Sequence, residues 1–170
     1  MGALLLSSGC ADWPNFDYAP LPDVFVNEQE SGGSTAQNLG TLRARTIVSG
    51  NITDTGLQDA EAFAVFGLEY WYSGDLDYYA FTMADPGSLL ISLDWADNSA
   101  DLDVLLFEYD DVEQTLSALL GKATSEGTMS ETFGVASLEP ETFYILVVAG
   151  RAGPGSPYTL VNEPIYEGVP

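Results

Sequence analysis

Apolar and polar residues alternate on both sides of a turn in the middle of the chain. Tyr79, Phe81 and Met83 lead into Pro86-Gly87, and Leu89, Ile91, Leu93 and Trp95 follow it. This period of two predicts a pair of half-buried strands, 78–83 and 89–95. Thr46 to Ile52 reads as an earlier strand bent at Gly50. Leu102 to Tyr109 reads as a strand with Leu102, Val104 or Leu105, and Phe107 turned inward. Phe143 to Ala149 is apolar without interruption, which predicts a central strand covered on both faces. Tyr158 to Val161 closes the series after a Gly/Pro-rich turn at 153–157. Leu57 to Trp71 is too evenly apolar for its period to decide between helix and strand. Leu116 to Leu120 is equally undecided, and Met129 to Phe133 reads as a strand edge.

Short strands separated by turn signals predict an all-β fold: a single β-sandwich or jelly-roll-like domain over 46–164. Ahead of it, residues 11–45 read as an extended N-terminal tether. Pro14, Pro20 and Pro22 interrupt helix there, and Glu28 to Leu39 has a loop composition. Residues 165–170 read as a tail.

Charge narrows the functional classes. Four basic residues stand against 26 acidic ones, a net charge of −22. Phosphate binding needs basic stripes, so nucleic acid is excluded as a partner. Anionic membrane surfaces would repel the folded part. Cations and basic partners would be attracted, and an acidic surface also suits a saline habitat. The chain has no histidine, which removes the usual general base near neutrality together with zinc and Ser-His-Asp chemistry. Ser156 has no base to activate it.

Cys10 is the single cysteine, so no intrachain disulfide forms. Its context, Leu4-Leu5-Leu6-Ser7-Ser8-Gly9-Cys10-Ala11, resembles the end of a bacterial lipoprotein signal peptide. That resemblance implies a signal remnant over 1–10, lipidation of Cys10, and contact with a membrane only through the lipid. A free thiol in a leader is the alternative.

The motifs from Val26 onward, taken in order, resemble the bacterial pre-peptidase C-terminal domain, the β-sandwich appended to many secreted proteases and collagenases. Val26-Asn27-Glu28-Gln29-Glu30 is similar to its acidic lead-in. Gly74-Asp75-Leu76-Asp77-Tyr78-Tyr79-Ala80-Phe81 is similar to its most recognisable motif, and Asp101-Leu102-Asp103-Val104-Leu105-Leu106-Phe107 to the aspartate-rich strand that follows. Phe143-Tyr144-Ile145-Leu146-Val147 and Tyr158-Thr159-Leu160 look like its last hairpin. The chain departs from that pattern at Ser31-Gly32-Gly33, where the family often has Pro-Asn-Asp, and at Pro140-Glu141-Thr142, where a glycine turn is usual.

In calcium-binding members of that family the lead-in and the pre-tyrosine motif converge on the ion. Carried over by position, the resemblance implies Glu28, Glu30, Asp77 and Asp75 as Ca²⁺ ligands. Elementary electrostatics is consistent with this. Calcium takes six to eight oxygens in flexible geometry. Carboxylates brought within roughly 4 Å of each other repel by about 4 kcal/mol per pair at an effective dielectric of about 20. Ordinary turn aspartates on a solvated linker are the alternative. Asp97, Asn98 and Asp101 form a weaker candidate oxygen cluster, explained equally by turn chemistry. The carboxylate pairs Asp75/Asp77 and Asp101/Asp103 are too local to flank a glycosidic bond. Val148 and Gly150 stand where collagen-binding relatives carry tyrosines, so the resemblance does not extend to collagen.

The sum is a non-catalytic binding or structural module of the bacterial cell envelope, lipid-anchored or secreted and stabilised by Ca²⁺. The alternative is an accessory domain that binds an envelope protein or polysaccharide through exposed aromatics of the group Tyr70, Trp71 and Tyr72. A hydrolase is the remote reading.

Overall fold

The computed structural model describes residues 22–28, 36–58 and 71–166. Ten strands follow one another: β1 (Val24–Asn27), β2 (Gln37–Leu42), β3 (Thr46–Ile52), β4 (Leu76–Met83), β5 (Gly87–Trp95), β6 (Asp101–Asp110), β7 (Thr115–Ala123), β8 (Ser130–Leu138), β9 (Phe143–Ala152) and β10 (Ser156–Tyr166). They form two five-stranded sheets, β1-β3-β10-β5-β8 and β2-β4-β9-β6-β7, packed face to face as a β-sandwich. All neighbours are antiparallel except β1 beside β3 and β2 beside β4, which run parallel at one side of the sandwich.

The alternation sets the burial. In β4 the residues Asp77, Tyr79, Phe81 and Met83 point inward, and in β5 so do Leu89, Ile91, Leu93 and Trp95. These two strands are not paired with each other. β4 lies between β2 and β9, and β5 between β10 and β8. The turn at 84–86 carries the chain from one sheet to the other. The same holds for β9 and β10, expected as a hairpin, whose connection at 153–155 also changes sheet. Alternation reports which face is buried; it does not report the neighbour. Two strands facing one interior from opposite sheets carry the same pattern as a hairpin. β6 and β7 do form a hairpin, with two bulges in their register.

The sandwich begins earlier than the chain composition suggests. β1 and β2 lie inside the segment read as a tether, and β10 runs to Tyr166, into the expected tail. β2 is bulged between Asn38 and Gly40, with Gly40 at φ +74°, and the Asn38 side chain accepts a hydrogen bond from the Gly40 N–H at 2.7 Å. A short bulged edge strand needs neither strict alternation nor apolar residues, so it reads as loop.

β9 is central and buried on both faces, as its apolar run predicts, and β6 beside it shares that burial. Leu102, Val104, Leu106, Tyr144, Leu146 and Val148 face the inter-sheet core. Leu105, Phe107, Ile145, Val147 and Ala149 face the other way and pack against Trp71 and Tyr72. One polar side chain sits in the main core without compensation. Asn162 of β10 is fully buried, and among the described residues neither atom of its amide has a hydrogen-bond partner. An unpaired buried amide costs about 1–3 kcal/mol. Asn162→Leu, close in size, is expected to raise the melting temperature, measured by calorimetry at fixed pH; a lower one would show that the amide is bonded in solution.

Candidate functional site

Two acidic segments meet at one end of the sandwich, near Gly50: the lead-in with Glu28, and the start of β4 with Asp75 and Asp77. Glu28 follows β1, where its N–H donates to the Ser49 carbonyl at 2.8 Å. Its side-chain Oε2 accepts the N–H of Asn51 at 2.7 Å. Asp75 precedes β4, and its Oδ2 accepts the N–H of Thr53 at 3.0 Å and the Thr53 hydroxyl at 2.8 Å. Asp77 lies within β4 on the inward face, 5% exposed. Its Oδ2 accepts the Tyr158 hydroxyl from β10, in the facing sheet, at 2.6 Å. The Tyr158 and Tyr79 hydroxyls are also hydrogen-bonded. Because Tyr158 has one proton and gives it to Asp77, Tyr79 is the donor in that second bond.

Tyr158 pairs across the ladder with Gly50. A Cβ on Gly50 would collide with the Tyr158 ring end and hydroxyl and fall 2.9 Å from Glu28 Oε2. Glycine at this position is therefore what lets the phenol and the Glu28 carboxylate come together over the β3 backbone.

The electrostatics of Asp77 follow from this placement. Burial is the largest cause and pushes its carboxyl up to about 8. The Tyr158 hydrogen bond opposes the rise, whereas the Glu28 carboxyl, by charge and hydrogen bonding, and the Asp75 charge reinforce it. Burial likewise pushes the Tyr158 and Tyr79 phenols up, beyond any physiological pH. Without a cation, Asp77 holds a proton at neutral pH.

Of the expected ligands, Glu28, Asp75 and Asp77 are brought into electrostatic reach of one another; Glu30 lies outside the described residues. Among the described residues no group of three acidic or cysteine side chains forms a preformed metal cluster. The donor set itself suits calcium. All three groups offer hard carboxylate oxygens. Sequence reasoning missed Tyr158, Tyr79 and Thr53. The alternation that turns Tyr79, Phe81 and Met83 inward also turns Asp77 inward, and that was the signal that a buried partner had to exist.

The aromatic group is corrected. Trp71 and Tyr72 are 7% and 1% exposed and cover the outer face of β6 and β9, so they present no binding surface. The Lys122 ammonium lies 5.2 Å from the Trp71 ring centre. The Tyr72 hydroxyl donates to Asp103 Oδ2 at 2.6 Å, and burial pushes the Asp103 carboxyl up to about 6. Tyr70 and Cys10 lie outside the described residues. The second oxygen cluster is turn and ion-pair chemistry: Asp97 accepts the Ser99 N–H and hydroxyl at 2.8 and 2.6 Å, and Asp101 lies 3.7 Å from the Arg151 guanidinium.

Two open grooves of about 480 and 300 Å³ adjoin at the ends of β5 and β10, sharing Ala96 and Pro157. Asp97 and Asn98 line one and Asp94 the other. The carboxyls displaced upward to about 8 and about 6, Asp77 and Asp103, line neither.

No protein-family model and no curated protein matches the sequence. Solved structures do match in fold. The pre-peptidase C-terminal domain of a collagenase from Bacillus anthracis aligns with a TM-score of 0.50 and 13% identity, over 78% of this chain and 99% of that one. PliG of Aeromonas hydrophila, a periplasmic inhibitor of g-type lysozyme, aligns with a TM-score of 0.45 and 13% identity, over 84% and 97%. The fold expected from the motif order is therefore the fold found: a two-sheet sandwich like that of the collagenase domain.

The Asp77 environment gives a pH dependence with a definite sign. In the metal-free protein the folded state keeps a proton on Asp77 up to about pH 8 and on Asp103 up to about pH 6, whereas an unfolded aspartate releases it near its ordinary value of 3.8. The folded state thus binds more protons between those limits. Stability contributed by Asp77 is complete below about pH 4 and lost as pH rises through about 8. Chelator-treated protein should melt at a higher temperature at pH 5 than at pH 8, and Asp77→Asn should flatten the upper part of that slope. Equal slopes in the two proteins would mean Asp77 is already ionised.

Proposed function

We propose that this protein is a non-catalytic binding or structural module of the cell envelope, or a secreted one, whose N-terminal lead-in is clamped onto the sandwich by Ca²⁺. One observation carries the reading: Glu28 of the lead-in meets Asp75 and Asp77 at the start of β4, with Asp77 buried and its carboxyl pushed up to about 8. A chain gains nothing in stability from assembling like charges in a desolvated site unless a proton or a cation neutralises them. Glu28, Asp75 and Asp77 would hold the ion, with Glu30 from the same lead-in. Calcium would supply the positive charge; the chain supplies hard oxygens and the hydrogen bonds that orient them.

Several observations support a binding rather than a catalytic role. The Asp77 and Asp103 carboxyls are used inside the fold, by Tyr158 and Tyr72, and neither lines the two grooves at the ends of β5 and β10. The collagenase domain of like fold is an appended domain by its printed name. An anchor at Cys10 would set the sandwich at the membrane, and the 26 acidic residues would select cations and basic envelope partners.

Titration calorimetry of the chelator-treated protein with CaCl₂ tests the reading. Saturable binding is expected, with proton release at pH 7 and a melting temperature that rises with calcium concentration. Asp77→Asn should abolish both. A calcium titration with no heat and no thermal shift overturns the reading.

A further inference from the structure

Four strands border the sandwich, β1 and β8 in one sheet and β2 and β7 in the other. Three of these edges are irregular. β2 and β7 carry register shifts, and β8 bulges between Val135 and Leu138, where Ser137 has a φ of 60°. Bulges of this kind keep an edge from pairing with another chain. β1 has none: Val24 to Asn27 pair with Thr46 to Ser49 in unbroken register. The N–H groups of Val24 and Glu28 turn to β3 and bond the Arg45 and Ser49 carbonyls at 2.9 and 2.8 Å. Phe25 and Asn27, the alternate residues, direct their backbone N–H and C=O to the open side of this parallel pair. The Asn27 carbonyl accepts the Gln37 side-chain amide at 3.1 Å and keeps a second lone pair.

The outer face beside this edge is uncharged. Phe25, 76% exposed, heads a lateral row of Phe25, Ile47, Val161, Ser92 and Thr132 that crosses all five strands of the sheet. A basic segment would find no carboxylate in that row. A neutral apolar strand fits it, and Val24-Phe25-Val26-Asn27 is itself such a strand. Turned antiparallel on its own copy about Phe25, it sets Phe25 opposite Phe25 and the outward backbone groups of each copy opposite those of the other. Asp23 then falls opposite Asn27 and not opposite a second carboxylate, and its charge is paired with Arg45 at 2.9 Å.

We infer that β1 is a dimerisation edge: two copies of this chain pair their β1 strands antiparallel about Phe25 and join their two β1-containing sheets into one. The contact is isologous, each copy using the same strand. It is independent of the calcium reading. Four residues make a small contact, and the net charge of −22 on each copy opposes it, so the dimer should form at high protein concentration and gain from salt that screens the repulsion.

Analytical ultracentrifugation of the whole chain tests this, at up to about 1 mM protein and between about 0.01 and 1 M NaCl, where the screening length falls from about 30 to about 3 Å. The wild type should approach twice the 18.2 kDa chain mass, at lower concentration in higher salt. Asn27→Pro removes an outward N–H that β3 does not use, so β1 keeps its own ladder; dimerisation should be lost. Phe25→Ser keeps the backbone and deletes the aromatic pair at the dyad; it should weaken dimerisation severalfold, and it keeps the test decisive if the proline variant folds poorly. Ile165→Ser removes another exposed apolar side chain, from β10 and away from the edge, and should dimerise as the wild type does. A wild type that stays monomeric throughout overturns the inference. So does a dimer that withstands both β1 substitutions, or one that Ile165→Ser abolishes.

Discussion

The rest of the structure depends on a carboxylate that strand geometry forces into the interior. In a β-strand, alternate residues share a face. Once Tyr79, Phe81 and Met83 of β4 pack against the facing sheet, Asp77 must point the same way. Desolvating a carboxyl is costly unless it is hydrogen-bonded or neutralised. The facing strand β10 supplies the hydrogen bond through Tyr158, and Tyr79 completes the chain of donors within β4's own face. A polar link thus crosses between the sheets amid residues that are otherwise apolar. It ties the relative placement of β4 and β10 to the protonation state of one side chain. Burying a polar network of this kind fixes a unique arrangement only if every member is satisfied, and the directional chain Tyr79 to Tyr158 to Asp77 satisfies all three.

Much of this was legible in the sequence, and the failures have physical causes. Strand existence came from alternation: β3, β4, β5, β6 and β9 stand where the pattern predicts them. Pairing did not, because the turn after Met83 changes sheet and leaves the alternation unbroken. The edge strands β1 and β2 escaped notice for the opposite reason: an edge strand has one unpaired side and a weak burial pattern, so Val24–Asn27 and Gln37–Leu42 carry no strong signal. Among the expected ligands, Glu28, Asp75 and Asp77 were singled out through motif order. Their hydrogen-bond partners were not, since Tyr158 is 81 residues from Asp77 along the chain. The aromatic group misled because Trp71 and Tyr72 follow a segment of undecided period. Composition alone does not say that the outer face of β6 and β9 is apolar and needs a cover.

That cover explains how the domain distributes its charge. β6 and β9 are apolar on both sides, so the sheet containing them has a second, smaller core under Trp71 and Tyr72. Asp103 is drawn into it and held by Tyr72. The same device therefore appears twice, an inward carboxylate on a strand capped by a tyrosine from another segment. Elsewhere the strands are nearly free of acid: β1, β2, β3, β7 and β9 contain none. Most of the negative charge is thus left to turns, strand ends and the segments between strands, where water screens it.

The two aspartate–tyrosine pairs nonetheless differ in what surrounds them, and the difference points to function. Near Asp103 the Arg151 guanidinium lowers the carboxyl's affinity for a proton, offsetting part of the burial. Near Asp77 the charges of Glu28 and Asp75 add to the effect of burial instead. Both carboxyls are equally obliged to be inside, and Asp103 is the one that Arg151 supplies with positive charge. A proton can neutralise Asp77, and so can a divalent ion. A proton neutralises one carboxyl, whereas a divalent ion would engage Glu28 of the lead-in together with Asp75 and Asp77 at the start of β4. Proton and ion therefore compete for one place with different structural consequences. The first joins Glu28 of the lead-in to Asp77 through a hydrogen bond between their carboxyls, and the second would add an ionic link that also reaches Asp75.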